Sequence, residues 1–148
     1  MDFQEGAPKD RFVITNTSAC EIGALSVSID LSTAPAGLIF DTTADGAGVE
    51  VFQPLELDQN DGTLRTTRKV VDGDQVLDLE IAALPAGARV SFTIDLDDTA
   101  TDSALGQIRV SDAEISGAQV VMRMGDTTLR GVFAQSATAV VPLPTCTS

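Results

Sequence analysis

The sequence has no histidine, no tryptophan and no tyrosine, which removes many of the side chains that perform enzymatic chemistry or hold sugars. Without histidine, a serine or cysteine nucleophile has no imidazole to act as its general base. Carbohydrate-binding surfaces usually present exposed aromatic rings, whereas the only aromatic residues here are six phenylalanines. We therefore expect a protein that is not an enzyme. The alternatives are a carbohydrate-binding module and a small glycan-directed hydrolase that uses paired carboxylates.

Basic side chains and long apolar runs are also scarce. Nine lysines and arginines stand against 22 aspartates and glutamates, giving a formal net charge of −13. Nucleic acids and anionic lipid surfaces select basic patches, so neither is an expected partner. No apolar stretch approaches the roughly 20 residues that cross a bilayer, so we expect no membrane insertion. The acidic balance favours cations, basic partners or simple solubility.

Cysteine is limited to Cys20 and Cys146. Two cysteines cannot make a cysteine-only metal site, and no histidine is present to complete one. We expect a disulfide between them, with two buried thiols as the alternative, and a disulfide implies an oxidising compartment. Residues 1–5 are acidic and lack the apolar core of a signal peptide. A mature chain separated from its leader and a cytoplasmic chain would both begin in this way. The predicted location, which is secreted, cell-surface or periplasmic, therefore depends on the cysteines.

Apolar residues alternate with polar ones through most of the chain, and this period of two is typical of half-buried β-strands. The clearest strands are residues 25–31, 77–81, 90–99 and 120–124, and shorter candidates lie at 12–15, 38–41, 49–53, 64–71, 107–110, 129–133 and 137–141. Pro-Ala-Gly and Asp-Gly turns separate these runs. We predict one all-β domain over residues 1–148, an antiparallel β-sandwich of the Ig-like or jelly-roll type.

The run 90–99 ends in a cluster of acids. Its apolar residues share one face of a strand, so Asp95 and Asp97 share the other, and Asp98 and Asp102 follow. Crowded carboxylates repel each other unless water or a cation separates them, and Ca²⁺ prefers oxygen ligands of this kind. We predict that Asp95, Asp97, Asp98 and Asp102 form a calcium site. The alternative is a solvated turn whose aspartates bond to their own backbone.

Two further acidic clusters lie in predicted turns. One contains Asp58, Asn60 and Asp61, and the other contains Asp72 and Asp74. None of the acidic clusters has the spacing of an EF-hand loop, and the solvated turn is again the alternative to a metal site.

The run 49–53 has the alternation of a strand, a single charge, and a proline only after its end. Natural proteins usually protect edge strands with charges, prolines or bulges, because an unprotected edge can pair with another chain. We predict that Val49, Val51 and Phe52 form an interface with a second copy of the protein.

Six segments carry a family resemblance, namely Pro8–Phe12, Ile14–Thr17 leading to Cys20, Gly37–Asp41, Gly48–Pro54, Asp72–Gln75 and Phe92–Thr99. Together they resemble small secreted bacterial proteins related to the core subunit of the marine sponge aggregation factor. In sponges that core protein assembles into a ring, and calcium-dependent self-association holds cells together. The resemblance implies a secreted β module used in assembly or adhesion, and it implies no catalytic residues.

The predicted function is therefore a secreted, non-enzymatic β-sandwich that acts in self-association or cell-surface adhesion. Calcium is its candidate cofactor. Its expected partner is a second copy of itself, or a glycan or protein at a cell surface.

Overall fold

The structure is a computed structural model that describes residues 1–6, 9–49, 51–58, 63–100 and 106–146. In these ranges the protein is all-β, with two antiparallel sheets, as predicted for an antiparallel β-sandwich. No helix in the described ranges has the length and the apolar character needed to cross a membrane.

The first sheet is organised around its longest strand. It contains β1 (Asp2–Gln4), β2 (Asp10–Thr15), β4 (Ile39–Asp41), β5 (Glu56–Leu57) and β8 (Arg89–Asp97). One edge of β8 pairs with β2, which in turn pairs with β1. The other edge pairs first with β5 and then, at its C-terminal end, with β4. The last three residues of β8 therefore pair with β4 on this edge, whereas the β2 register on the other edge ends at Ile94.

The second sheet has the strand order β10-β9-β3-β7-β6. Its strands are β3 (Leu25–Asp30), β6 (Leu64–Thr66), β7 (Val76–Ile81), β9 (Gln119–Met124) and β10 (Thr127–Val132). The predicted runs 25–31, 77–81 and 120–124 match β3, β7 and β9 to within one residue at each end. Apolar residues at every second position over five or more residues are what made these three strands predictable.

The core lies between the two sheets and is built from the apolar side of each alternating strand. Phe12 and Phe92 are both fully buried, lie directly opposite each other in the β2–β8 register, and stack with ring centroids 5.1 Å apart. A slip of one residue would move every core side chain of β8 to the other face. This packing therefore determines which residues of β8 point away from the core.

Cys20 and Cys146 form the predicted disulfide, with Cα atoms 6.1 Å apart. The bridge joins positions separated by 126 residues and fixes the C-terminal segment near the end of β2. In the loop-entropy model, a loop of this length stabilises the folded chain by roughly 4–5 kcal/mol.

Three predicted strands are wrong for the described residues. Residues 107–110 lie in a turn, and residues 137–141 make only isolated bridges to Asp2 and Phe133. Residues 49 and 51–53 form no strand: the Val49 N–H donates to the Asp97 side chain, whereas Gln53 bonds to the backbone of Asp41 and Asp95. The predicted strand 64–71 is shorter, since β6 ends at Thr66. Strands β1 and β5 are too short to show a pattern in the sequence.

Candidate cation site

The register of the first sheet brings three aspartates together. Asp41, the last residue of β4, lies directly opposite Asp95 of β8, and Asp97 follows two residues later on the same face. One carboxylate oxygen from each residue lies within 4.8 Å of the other two. We refer to Asp41, Asp95 and Asp97 as the three-aspartate cluster.

The three-aspartate cluster is buried even though it faces away from the core. The exposed fractions of Asp41, Asp95 and Asp97 are 0%, 1% and 1%. The backbone that follows β4 contacts this face of the sheet at Gly48 and Val49, and we call residues 42–49 and 51–55 the covering segment. Asp95 and Asp97 therefore do not lie in a solvated turn, which was the alternative to a calcium site.

Most of the carboxylate oxygens in the cluster lack a donor. Both oxygens of Asp41, Oδ2 of Asp95 and Oδ1 of Asp97 accept no hydrogen bond from any described residue. Asp97 Oδ2 does accept one, from the Val49 N–H at 2.7 Å. Buried carboxylates normally have partners, and like charges directly opposite each other destabilise a sheet. The cluster thus offers carboxylate oxygens that could bind a cation, and few of these oxygens accept a hydrogen bond.

No lysine or arginine compensates this charge within the described part of the chain. The ion pairs that the structure shows lie elsewhere, and they use Lys9, Arg11, Arg65, Arg68 and Arg109. An isolated buried carboxylate is costly, so such a group either takes up a proton or acquires a counter-ion.

The pKa values of the cluster reflect this situation. Burial is the main cause that raises the pKa of Asp41 to about 7, and the carboxylates of Asp72 and Asp97 raise it further. Burial, followed by the charge of Asp10, raises the pKa of Asp95 to about 8. Burial also raises the pKa of Asp97. Near neutral pH the cluster is therefore poised to take up either protons or a cation.

Asp72 lies beside the cluster but has a different role. Its Oδ1 accepts hydrogen bonds from the backbone N–H groups of Thr42 at 2.8 Å and Thr43 at 3.2 Å, and its Oδ2 accepts one from Ala47 at 2.6 Å. Although burial alone would raise it, these bonds lower the pKa of Asp72 below its usual value. Asp72 is thus a charged anchor for the covering segment. Asp74, its predicted partner, instead pairs with Arg68.

Of the other predicted ligands, Asp98 and Asp58 are described, and neither belongs to the three-aspartate cluster. Asp98 is buried and its Oδ2 lacks a described donor, but its Oδ1 accepts the Ala100 N–H at 3.0 Å. Asp102 lies outside the described residues, as do Asn60 and Asp61. Asp58 forms an ion pair with Arg11 at the surface.

Sequence reasoning missed Asp41 and Asp10. Asp41 ends an apolar run just as Asp97 does, which was the available signal, but only the β4–β8 register shows that it opposes Asp95. Asp10 is buried and accepts hydrogen bonds from Gly6 at 2.7 Å and Leu96 at 3.0 Å. Burial raises its pKa to about 7.

The spacing of the cluster suits a large, hard cation. Ligand oxygens bound to Ca²⁺ at 2.3–2.6 Å lie at most about 5 Å apart, and the three oxygens of the cluster fall within that limit. Gly48 approaches from the covering segment. A Cβ atom there would lie 2.3 Å from Asp41 Cγ and 2.6 Å from Asp97 Oδ2, so only glycine allows so close an approach.

The predicted interface residues lie on the same covering segment. Val49 is partly buried, whereas the exposed fractions of Val51 and Phe52 are 42% and 38%. The Val49 N–H bonds to the Asp97 carboxylate on the acidic face of β8, and Val51 and Phe52 are not part of a strand. An interface at these residues would therefore use their side chains and not strand pairing.

Comparisons with known proteins give no match to this chain, whether with family models, curated proteins or solved structures.

Proposed function

We propose that this protein is a non-enzymatic β-sandwich module that binds a calcium ion through Asp41, Asp95 and Asp97. The observation that carries the proposal is the set of buried carboxylate oxygens with no donor and no counter-charge among the described residues. Calcium fits better than magnesium, which binds at shorter distances and gives up its water reluctantly. Calcium also fits better than zinc, which favours the nitrogen and sulfur ligands that this cluster lacks.

The proposed location is outside the cytoplasm, either secreted or at the cell surface. The Cys20–Cys146 disulfide supports it, because such bonds persist in oxidising compartments. Calcium sites of extracellular modules commonly work at about 10⁻⁴–10⁻³ M, so a modest affinity would be sufficient there.

We further propose that the module acts by self-association, with a second copy of the chain as its partner. The support is the exposed apolar pair Val51 and Phe52, which the covering segment carries beside the cation site. The resemblance to the sponge aggregation factor core protein favours the same role. With a net charge of −13, association should be opposed at low salt and helped by screening or by divalent ions.

Calorimetric titration of calcium into chelator-treated protein tests the metal site. We expect saturable binding in the wild type, strong loss of binding in Asp97→Asn and Asp41→Asn, and unchanged binding in Asp112→Asn. Asp112 is exposed, so its variant is matched in charge but lies at the surface. Absence of binding by the wild type at millimolar calcium would show that the proposal is wrong. Equally strong binding of magnesium would show that the site binds divalent ions without selecting calcium.

Sedimentation velocity tests self-association. We expect calcium-dependent oligomers of the wild type and of Val140→Lys, and monomers of Val51→Lys. Val140 is an exposed valine outside the covering segment, which makes its variant a control for the added charge. A monomeric wild type at high protein concentration, with salt and calcium both present, would rule out self-association.

A further inference from the structure

We propose that calcium binding and closure of the covering segment over the first sheet form a single coupled equilibrium. In this proposal the cation holds the segment down, and the closed segment keeps the three aspartates in position and shielded from water. The inference depends on the calcium site proposed above and adds a regulated element to it.

The covering segment is attached mainly through acidic residues. Thr42, Thr43 and Ala47 donate backbone hydrogen bonds to Asp72, and Val49 donates one to Asp97. These four N–H groups lie along eight residues that contain no strand. The position of the segment therefore depends on where two carboxylates are held.

The end of the covering segment is attached to the strands that carry the cluster. The Gln53 N–H donates to the carbonyl of Asp41 at 3.4 Å, and the Gln53 carbonyl accepts the N–H of Asp95 at 3.1 Å. The Gln53 side chain donates to Thr93 Oγ1 at 3.1 Å. Gln53 therefore bridges β4 and β8 at the place where two of the proposed ligands oppose each other.

Asp41 links the anchor to the cluster. Its carboxyl group interacts with those of both Asp72 and Asp97. When all of these groups are ionised, their mutual repulsion acts directly beneath the covering segment. A divalent cation would remove the repulsion, and the free energy gained would stabilise the closed segment, because Val49 and Gly48 lie against these carboxylates in that arrangement.

Gly48 makes the coupling steric as well as electrostatic. Its backbone lies so close to Asp41 and Asp97 that a Cβ atom would overlap both carboxylates. A side chain at position 48 would therefore displace the two carboxylates, the segment, or both.

The test combines calcium titration with hydrogen exchange of the backbone amides. In the wild type, calcium should slow exchange at Thr42, Thr43, Ala47 and Val49 by about tenfold, a typical size for coupled sites. Amides of β3, in the other sheet, should not change. If calcium binds and exchange in the covering segment stays the same, the coupling is wrong while the calcium site stands. If calcium does not bind at all, the proposed calcium site is wrong, and the coupling that depends on it is wrong as well.

Two variants separate coupling from ligand loss. Asp72→Asn weakens the anchor by removing its charge and the oxygen that accepts the Ala47 N–H, and it removes none of the three proposed ligands, so coupling predicts faster exchange in the segment and about tenfold weaker calcium binding. Asp74→Asn changes the charge equally two residues away and should bind calcium like the wild type. Equal calcium affinity of Asp72→Asn and wild type would overturn the coupling.

Gly48→Ala gives an independent test through sterics. We expect weaker calcium binding and fast exchange of the segment with or without calcium. Gly23→Ala is the matched control, since nothing lies within 4 Å of a Cβ at Gly23. Wild-type binding and wild-type protection in Gly48→Ala would contradict the proposed contact between segment and ligands.

Discussion

The two faces of β8 are buried to a similar degree but for different reasons. On the core face, Phe92, Ile94 and Leu96 are fully buried and pack against side chains of both sheets. On the opposite face, Asp95 and Asp97 are almost as deeply buried, beneath the covering segment. Burial stabilises the first face because apolar surface leaves water, and it destabilises the second because charge does.

This contrast separates a structural face from a functional one. A core face is satisfied within the chain, and nothing else need bind there. The acidic face has more carboxylate oxygens than hydrogen-bond donors to pair with them. Such an imbalance is typical of sites that bind a ligand at some cost in stability. Four measurements test this difference between the two faces.

The largest effect is expected from Phe92→Ala on the core face. Removing a fully buried ring that stacks on Phe12 leaves a cavity and should lower the free energy of unfolding by about 3–5 kcal/mol. Chemical denaturation measures this value. A loss below about 1 kcal/mol would mean that the core face is not packed as described.

The second effect has the opposite sign and comes from the acidic face. In calcium-free protein near pH 7.5, Asp95→Asn should raise the free energy of unfolding by about 1–3 kcal/mol, because Asp95, with a pKa of about 8, must take up a proton when the chain folds, whereas asparagine is neutral in both states. The new amide can also donate to the neighbouring carboxylates. The same denaturation assay with saturating calcium should show a smaller gain or a loss. Destabilisation of the calcium-free variant would contradict the description of this face.

The third effect is the pH dependence of the calcium-free protein. The folded-state pKa values of Asp10 and Asp41 are about 7 and that of Asp95 is about 8, all above the ordinary value of 3.8. Groups with raised pKa values bind protons first in the folded state, so stability should increase as the pH falls from about 8 toward 4. Asp72, whose pKa is lowered, opposes this trend only at the acidic end.

Thermal unfolding between pH 8 and pH 5 measures this dependence. We expect the melting temperature to rise by a few degrees without calcium and to change less with calcium. A fall in the melting temperature over this range without calcium would contradict the raised pKa values.

The smallest effect is expected from Thr93→Val, next to the cluster. The variant keeps the shape of the side chain but loses the hydroxyl that accepts the Gln53 amide at 3.1 Å. We expect a loss of about 1 kcal/mol in the free energy of unfolding, since the buried Gln53 amide would lose its partner. Hydrogen exchange should show the change at the C-terminal end of the covering segment and not in the second sheet.

The fold class, the strongest strands and the disulfide could be predicted from the sequence because each has a local signal. Alternation at period two defined β3, β7, β8 and β9, and the presence of only two cysteines left one intramolecular pairing. The same alternation placed Asp95 and Asp97 on one face of a strand. Side-chain direction in a strand depends on local backbone geometry, so it follows directly from the order of residues.

The composition of the acidic cluster was decided by tertiary structure. Asp41 joins Asp95 and Asp97 because β4 pairs with the end of β8 in one register, which no local pattern of β4 reveals. Burial was also a tertiary result, since the covering segment turns an outward face into an enclosed one. The run 49–53 has the pattern of a strand, but the Val49 N–H donates to the Asp97 carboxylate, and it is Gln53 that bonds to strand backbone. Pairing partners and enclosure depend on contacts between residues far apart in the chain, and a period along the sequence carries no information about them.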